Sequence, residues 1–169
     1  MLVSLGKKAP SEPTLTDRLL DCHARIRKFC AIARRLAAST DPAAAREAAA
    51  ALHRYFTVAL PLHVADEEQS VRPRLVRLGE PALTAALDAM AAEHEEAAAT
   101  LAELTRRWRQ IAEAPTPARS AATDAPAAWL AEHFERHLDA EETRIFPALA
   151  KLPPAEAAAV VAELGARRA

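Results

Sequence analysis

Apolar residues recur along this chain at intervals of three and four, the spacing that lines them up on one stripe of an α-helix. One stripe reads Leu19, His23, Ile26, Cys30, Ala33 and Ala37. Another reads Leu83, Leu87, Met90, His94, Ala97, Leu101, Leu104, Trp108 and Ile111. Two more carry Leu52, Phe56, Leu60, His63 and Glu67, and Leu130, Phe134, His137, Glu141, Ile145 and Leu149. A histidine interrupts all four, and in two of them a glutamate follows one turn later. Sustained period-two alternation is absent, so the pattern predicts helices and no sheet.

Local punctuation places the helix ends. Thr16-Asp17 reads as the cap of a first helix that runs to about Ser39. Asp41-Pro42 opens a second, which runs to about Leu78 with a kink expected at Pro61 and a kink or fraying at Pro73, and Gly79 stops it. A third runs from Pro81 to about Ala112, the stretch 114–126 reads as a loop, and a fourth runs from Pro126 to Ala150. Pro153-Pro154 breaks the chain before a short helix over Ala155 to Leu164. The expected fold is all-α, an up-down-up-down antiparallel four-helix bundle with a short C-terminal helix. Its expected parts are a flexible N-terminal segment (1–13), the bundle (14–152) and a short C-terminal helix and tail (153–169).

Composition sharpens this picture. Of 169 residues, 44 are alanine, three are glycine and 4% are aromatic, so helix is favoured but the core is short of bulk. A net charge of -1 gives no pull toward nucleic acid. The run Arg106-Arg107-Trp108-Arg109 reads as a solvated helix face around one buried tryptophan. No stretch reaches the ~18 apolar residues of a membrane span, and the start lacks a secretory apolar run. Cys22 and Cys30 lie eight residues apart on one predicted helix, about 12 Å, too far for a disulfide. A reduced, cytoplasmic protein is expected.

The polar interruptions form a repeat. His63 to Pro73 and His137 to Pro147 both read H-x3-E-E-x4-P. A lone core histidine precedes each, His23 by 40 residues and His94 by 43. Residues four apart share a helix face about 6 Å apart along the axis, so each His and Glu reach one metal or two adjacent ones. His63 lies 16 residues before Gly79 and His94 lies 15 after it, so an antiparallel pair brings them to one height. Two glutamates on core seams, without lysine or arginine at that level, need compensation that divalent cations supply. Metal binding then adds folding free energy to an alanine-rich core.

These residues resemble the hemerythrin-like, or HHE cation-binding, domain over roughly 15–150, including the closing phrase Glu-Glu-Thr-Arg-Ile-Phe-Pro. The resemblance implies a non-haem di-iron centre, oxo- or hydroxo-bridged. Glu67 and Glu141 are its implied bridges, and His23, His63, His94 and His137 its terminal ligands. Oxygen-carrying members place a further histidine where this chain has Ala98. His133, one turn before His137, is the candidate fifth histidine, as ligand or as pocket lining. Glu142 is kept as the alternative to Glu141, because the carrier family uses a His-x4-Asp spacing there. Glu68 and Glu142 otherwise read as solvated or supporting groups, and His53 as a non-ligand.

The mixed donor set suits ferrous iron, with zinc or manganese as alternatives. Two metal-dependent classes of function follow. One is a protein that binds O2, NO or related small molecules in sensing, storage or redox and iron homeostasis. The other is a di-iron enzyme acting on peroxide or NO, or in iron-centre repair. Repair members carry an N-terminal cysteine-bearing extension not seen here, which lowers that reading. A metal-free helical interaction module is a third class, separable by chelator-insensitive stability. No phosphate loop, Ser/His/Asp set or CxxC pair appears, and nothing specifies an oligomeric state.

Overall fold

The computed structural model describes residues 12–113 and 124–169. Most of the expected flexible start and of the expected 114–126 loop lies outside the described residues. Five helices and no strand make up the described chain: α1 (Leu15–Ala37), α2 (42–76), α3 (Pro81–Glu113), α4 (124–149) and α5 (Pro154–Ala166). The first cap is Thr14 rather than Thr16-Asp17. Its hydroxyl accepts from the Asp17 N–H, and the Asp17 carboxylate accepts from the Thr14 N–H in return. Asp41 caps α2 as expected, and Gly79, at φ +70°, ends the connection after it. The fourth helix is already formed at Asp124, where the described residues resume, two residues before Pro126.

At both prolines where the second helix is expected to be disturbed, it widens into a π-turn, and the fourth helix does the same at Pro147. Three π-helical turns, Tyr55–Ala59, Asp66–Val71 and Glu141–Ile145, each stand just before a proline, at 61, 73 and 147. In an α-helix the proline ring collides with the carbonyl four residues back. Here the residue before each proline bonds five back instead: Leu60 to Tyr55, Arg72 to Glu67 and Phe146 to Glu141. The wider turn makes room for the ring and keeps the helix running. It also explains the repeated four-residue steps 67-71-75 and 141-145-149, which overrun an ordinary turn of about 3.6 residues.

α1 lies along α4, and α2 lies along α3. Arg27 of α1 reaches Glu135 and Glu142 of α4 at 3.2 and 2.7 Å. Between α2 and α3, His53 bonds the Thr105 carbonyl and Arg72 bonds Asp88, so residue numbers rise in one helix as they fall in the other. The buried apolar residues form two clusters. One holds Ile26, Leu52, Phe56, Leu104, Trp108, Leu130 and Phe134. The other holds Leu19, Leu75, Leu87, Met90, Ile145 and Phe146. Along each helix the histidines and glutamates of the seams fall between the residues of these two clusters. Trp108 is fully buried within its arginine run, as expected.

α5 is joined to the second cluster through Val160 and Leu164. It also reaches a carboxylate that sequence reading passed over. Asp66, on α2 beside Glu67, is fully buried, and Arg167 and Arg168 hold it at 2.9 and 2.5 Å. Arg167 also donates to Ser70, Ser70 donates to Glu163, and Arg74 donates to Glu163. Removing the cationic partners of a buried carboxylate leaves an uncompensated charge, at a cost of about 3–5 kcal/mol. The double substitution Arg167→Ala/Arg168→Ala is therefore expected to lower unfolding free energy by about that amount. Urea denaturation of the metal-free protein measures it, and adding Asp66→Asn should restore part of the loss.

Candidate metal centre

Four helices each contribute to one polar layer. α1 places His23, α2 places His63 and Glu67, α3 places His94, and α4 places His137 and Glu141. His23 and Glu67 are 0% and 1% exposed, His137 and Glu141 2% and 1%, and His94 is half-buried. Their donor atoms fall into two groups whose members lie within 4.8 Å of one another: His23, His63, Glu67 and Glu141, and His94, His137 and Glu141.

Each glutamate divides its two oxygens between the groups. Glu67 Oε1 faces His63 Nε2 at 3.2 Å and His23 Nε2 at 3.7 Å, while Oε2 faces His94 Nε2 at 3.5 Å. Glu141 Oε2 faces His23 Nε2 at 3.1 Å, and its Oε1 faces His137 Nε2 at 3.1 Å. These close approaches are not aligned hydrogen bonds. All four carboxylate oxygens, and the Nε2 atoms of His23 and His63, are buried without a hydrogen-bond partner. Atoms that stand near one another yet do not bond to one another converge on a common point. Buried polar groups left this way cost free energy unless something else satisfies them. The set is therefore one that a cation fits.

The outer nitrogens are held from the next layer. His23 Nδ1 donates to Glu142 at 2.8 Å, His94 Nδ1 to Glu68 at 3.3 Å, and His137 Nδ1 to Glu93 at 2.7 Å. An ionised carboxylate only accepts, so each ring, when neutral, carries its proton on Nδ1 and turns its Nε2 lone pair inward. Imidazoles that hold metals use this arrangement. His94 Nε2 and His137 Nε2 then stand 3.1 Å apart with lone pairs opposed, which requires a proton or another cation between them. The second glutamates of the repeat thus serve across the molecule: Glu68 supports His94 and Glu142 supports His23. His63 Nδ1 alone of the four has no such partner among the described residues.

Electrostatics follow from this packing. Burial pulls the His23 imidazolium down, but Glu141 and Glu67 outweigh it and raise its pKa to about 9. His137 also rises to about 9, with burial again overcome by Glu141 and then Glu93. His63 is lowered by burial. Burial pushes the Glu67 carboxyl up, but the facing His63, His23 and His94 rings hold it below the usual carboxylate range.

The remaining candidates lie outside the two groups. His133 is buried, donates from Nε2 to the Glu93 carbonyl at 3.1 Å and stacks on Trp129. Glu142 accepts from Arg27 as well as from His23. His53 bonds the Thr105 carbonyl. Sequence reading missed Glu93, whose only local signal is its place beside His94. It also missed Asp66, which marks a difference between the repeats, because the second copy has Ala140 there.

Comparison with known proteins agrees with this geometry. The hemerythrin HHE cation binding domain matches residues 14–149, most of the chain. Searches of curated proteins and of solved structures gave no significant match. With a match of that length, and with the family's His and Glu types gathered in one buried layer, the chain belongs to the hemerythrin HHE cation-binding domain family.

Proposed function

We propose that this protein holds a resident pair of metal ions, iron in the first instance, and binds O2, NO or a related small molecule there. The observation that supports it is the convergence of buried, unbonded carboxylate and imidazole atoms on two points that share Glu141. In this reading His23 and His63 hold one ion, His94 and His137 hold the other, and Glu67 and Glu141 bridge them. Mixed nitrogen and oxygen donors suit iron, and zinc or manganese would occupy the same donors with less or different redox chemistry. When bound, such an iron pair supplies reversible small-ligand binding and one-electron exchange. The protein's own part is to set the ring tautomers through Glu142, Glu68 and Glu93, and to keep the layer dry between two apolar clusters.

The same reading includes the up-down-up-down four-helix arrangement, for which the opposed run of α1 against α4 and of α2 against α3 speaks. It includes a reducing compartment, consistent with the free Cys22 and Cys30. No helix among the described residues is long and apolar enough to cross a membrane.

Iron loading is expected to give two ions per chain by elemental analysis and to raise the melting temperature. Free metal at ~1,000 times its dissociation constant contributes about 4 kcal/mol. Glu141→Ala should abolish that rise, whereas His53→Ala should keep it. A metal-independent melting temperature in the parent protein would sink the proposal.

Proton release gives a second check. The pKa values near 9 lie above the ordinary imidazole value of about 6.5. In the metal-free protein these rings therefore contribute stability that is complete below about pH 6.5 and lost as pH rises through 9. Metals need neutral rings, so uptake at pH 7 should release about two protons per chain, and affinity should tighten as pH rises toward 9. Titration of the unbuffered protein with Zn(II) in a pH-stat measures both.

A further inference from the structure

α5 builds a second feature away from the metal layer. The family match ends at residue 149, and α5 (Pro154–Ala166) lies beyond it. The helix packs against α2 and α1. Between α1 and the end of α5 lies a cavity of about 180 Å³. Arg18, Asp21, Cys22 and Arg25 line it from α1, and Gly165 and Arg168 from the other side. Arg18 and Arg25 are seven residues apart, two helical turns, so they share a face of α1 about 10 Å apart along the axis. None of the six inner donor residues of the metal layer lines this cavity.

Charge there is out of balance. The whole chain has a net charge of -1. Around the cavity the guanidinium groups of Arg18, Arg25 and Arg168 stand against one lining carboxylate, Asp21. Arg168 also bonds Asp66, but Arg167 bonds that same carboxylate. Among the described residues, Arg18 and Arg25 have no acidic partner within ion-pair distance, whereas Arg27, Arg72, Arg74 and Arg77 each have one. Arg168 is held in place: it donates to the Leu164 carbonyl at 2.7 Å and to Asp66 at 2.5 Å. A guanidinium carries five N–H donors, so others remain for a ligand. A planar fork fixed in this way binds a carboxylate or phosphate with less loss of freedom than an unheld side chain. Gly165 keeps the space open, since a Cβ there would meet nothing within 4 Å. Burial raises the Cys22 thiol above its ordinary pKa, with Arg168 and Arg25 opposing it, so the thiol marks the cavity rather than reacting in it.

We propose that the cavity between α1 and α5 is a binding site for a small dianionic oxyanion, a dicarboxylate or a phosphate, held by Arg18, Arg25 and Arg168. Three guanidinium groups less the one carboxylate of Asp21 leave the charge that a dianion balances. A water molecule's share of liquid volume is about 30 Å³, so the cavity has room for a ligand of several heavy atoms. The site exists because α5 folds back onto α1, and α5 lies outside the family match, so the site belongs to this chain rather than to the domain at large. It stands apart from the metal layer and does not rest on the two-metal reading.

Succinate and inorganic phosphate are suitable probes, and calorimetry of the full chain as purified, at fixed ionic strength, measures their binding. One saturable site per chain is expected for at least one of them, and which one binds tells a carboxylate ligand from a phosphate. Arg18→Ala/Arg25→Ala should weaken binding on the order of tenfold, and the melting temperature without ligand should stay unchanged because both side chains are exposed. Gly165→Leu keeps every charge but fills the space, and should weaken binding as much. Arg34→Ala/Arg35→Ala removes the same charge from the far end of α1, where both are exposed, and should leave binding alone. Cys22 gives a second readout: its alkylation by iodoacetamide, followed by peptide mass analysis, should slow when the anion is bound. Absence of saturable binding by both anions overturns the proposal. Binding that survives both Arg18→Ala/Arg25→Ala and Gly165→Leu lies elsewhere, at the metal layer included, and also overturns it. An equal loss in Arg34→Ala/Arg35→Ala reduces the effect to general charge screening and overturns it as well.

Discussion

Two carboxylates at the centre of the molecule, Glu67 and Glu141, set the terms for everything around them. Each is buried, and neither has an aligned hydrogen-bond donor. Ionised groups in such a place need positive charge nearby, or the fold loses several kcal/mol for each. Among the described residues, four imidazoles face these carboxylates and no lysine or arginine pairs with them. Without metal, the carboxylates hold protons on His23 and His137. That is a weaker and pH-dependent solution, in which a proton rather than a metal ion stands between the His94 and His137 rings. The geometry is satisfied more fully by cations than by protons, which is why the polar layer reads as a binding site rather than as a buried hydrogen-bond network.

The backbone serves the same constraint. A glutamate four residues after a histidine shares its face, but a proline six residues later would break an ordinary helix. The π-turns that begin at or just before the two glutamates reconcile these demands. They admit the proline and return Val71 and Leu75, or Ile145 and Leu149, to the apolar cluster below. The repeat H-x3-E-E-x4-P thus encodes a local backbone form as well as a donor pair. Its second glutamate is used at a distance: Glu68 of α2 orients His94 of α3 and Glu142 of α4 orients His23 of α1, so paired helices are tied together at the site.

The two copies differ in one further respect. The first carries Asp66, held by the arginines of α5, and the second carries Ala140. The alanine-rich composition has two consequences here. It leaves a core with few aromatic rings, concentrated in the cluster around Trp108, and it leaves space beside His137.

Much of this was legible in the chain itself. Helix positions, the common level of His63 and His94 and the doubled His-Glu motif all follow from spacing, because a helix face is a local property of the sequence. The six inner residues that the structure gathers could be named that way. The first cap was misplaced by two residues, since Thr14 with Asp17 competes well with Thr16 and only the chain's path chooses between them. The π-turns, the support of His137 by Glu93, the departure of His133 to a carbonyl and the clamping of Asp66 were not legible. Each depends on how helices rotate and press against one another, and on which charged tail folds back onto which helix. Sequence alone determined which residues share a helix face and that His63 and His94 lie at one level, and tertiary packing decided which atoms face each other, because the rotation of one helix against another is not a local property of the chain.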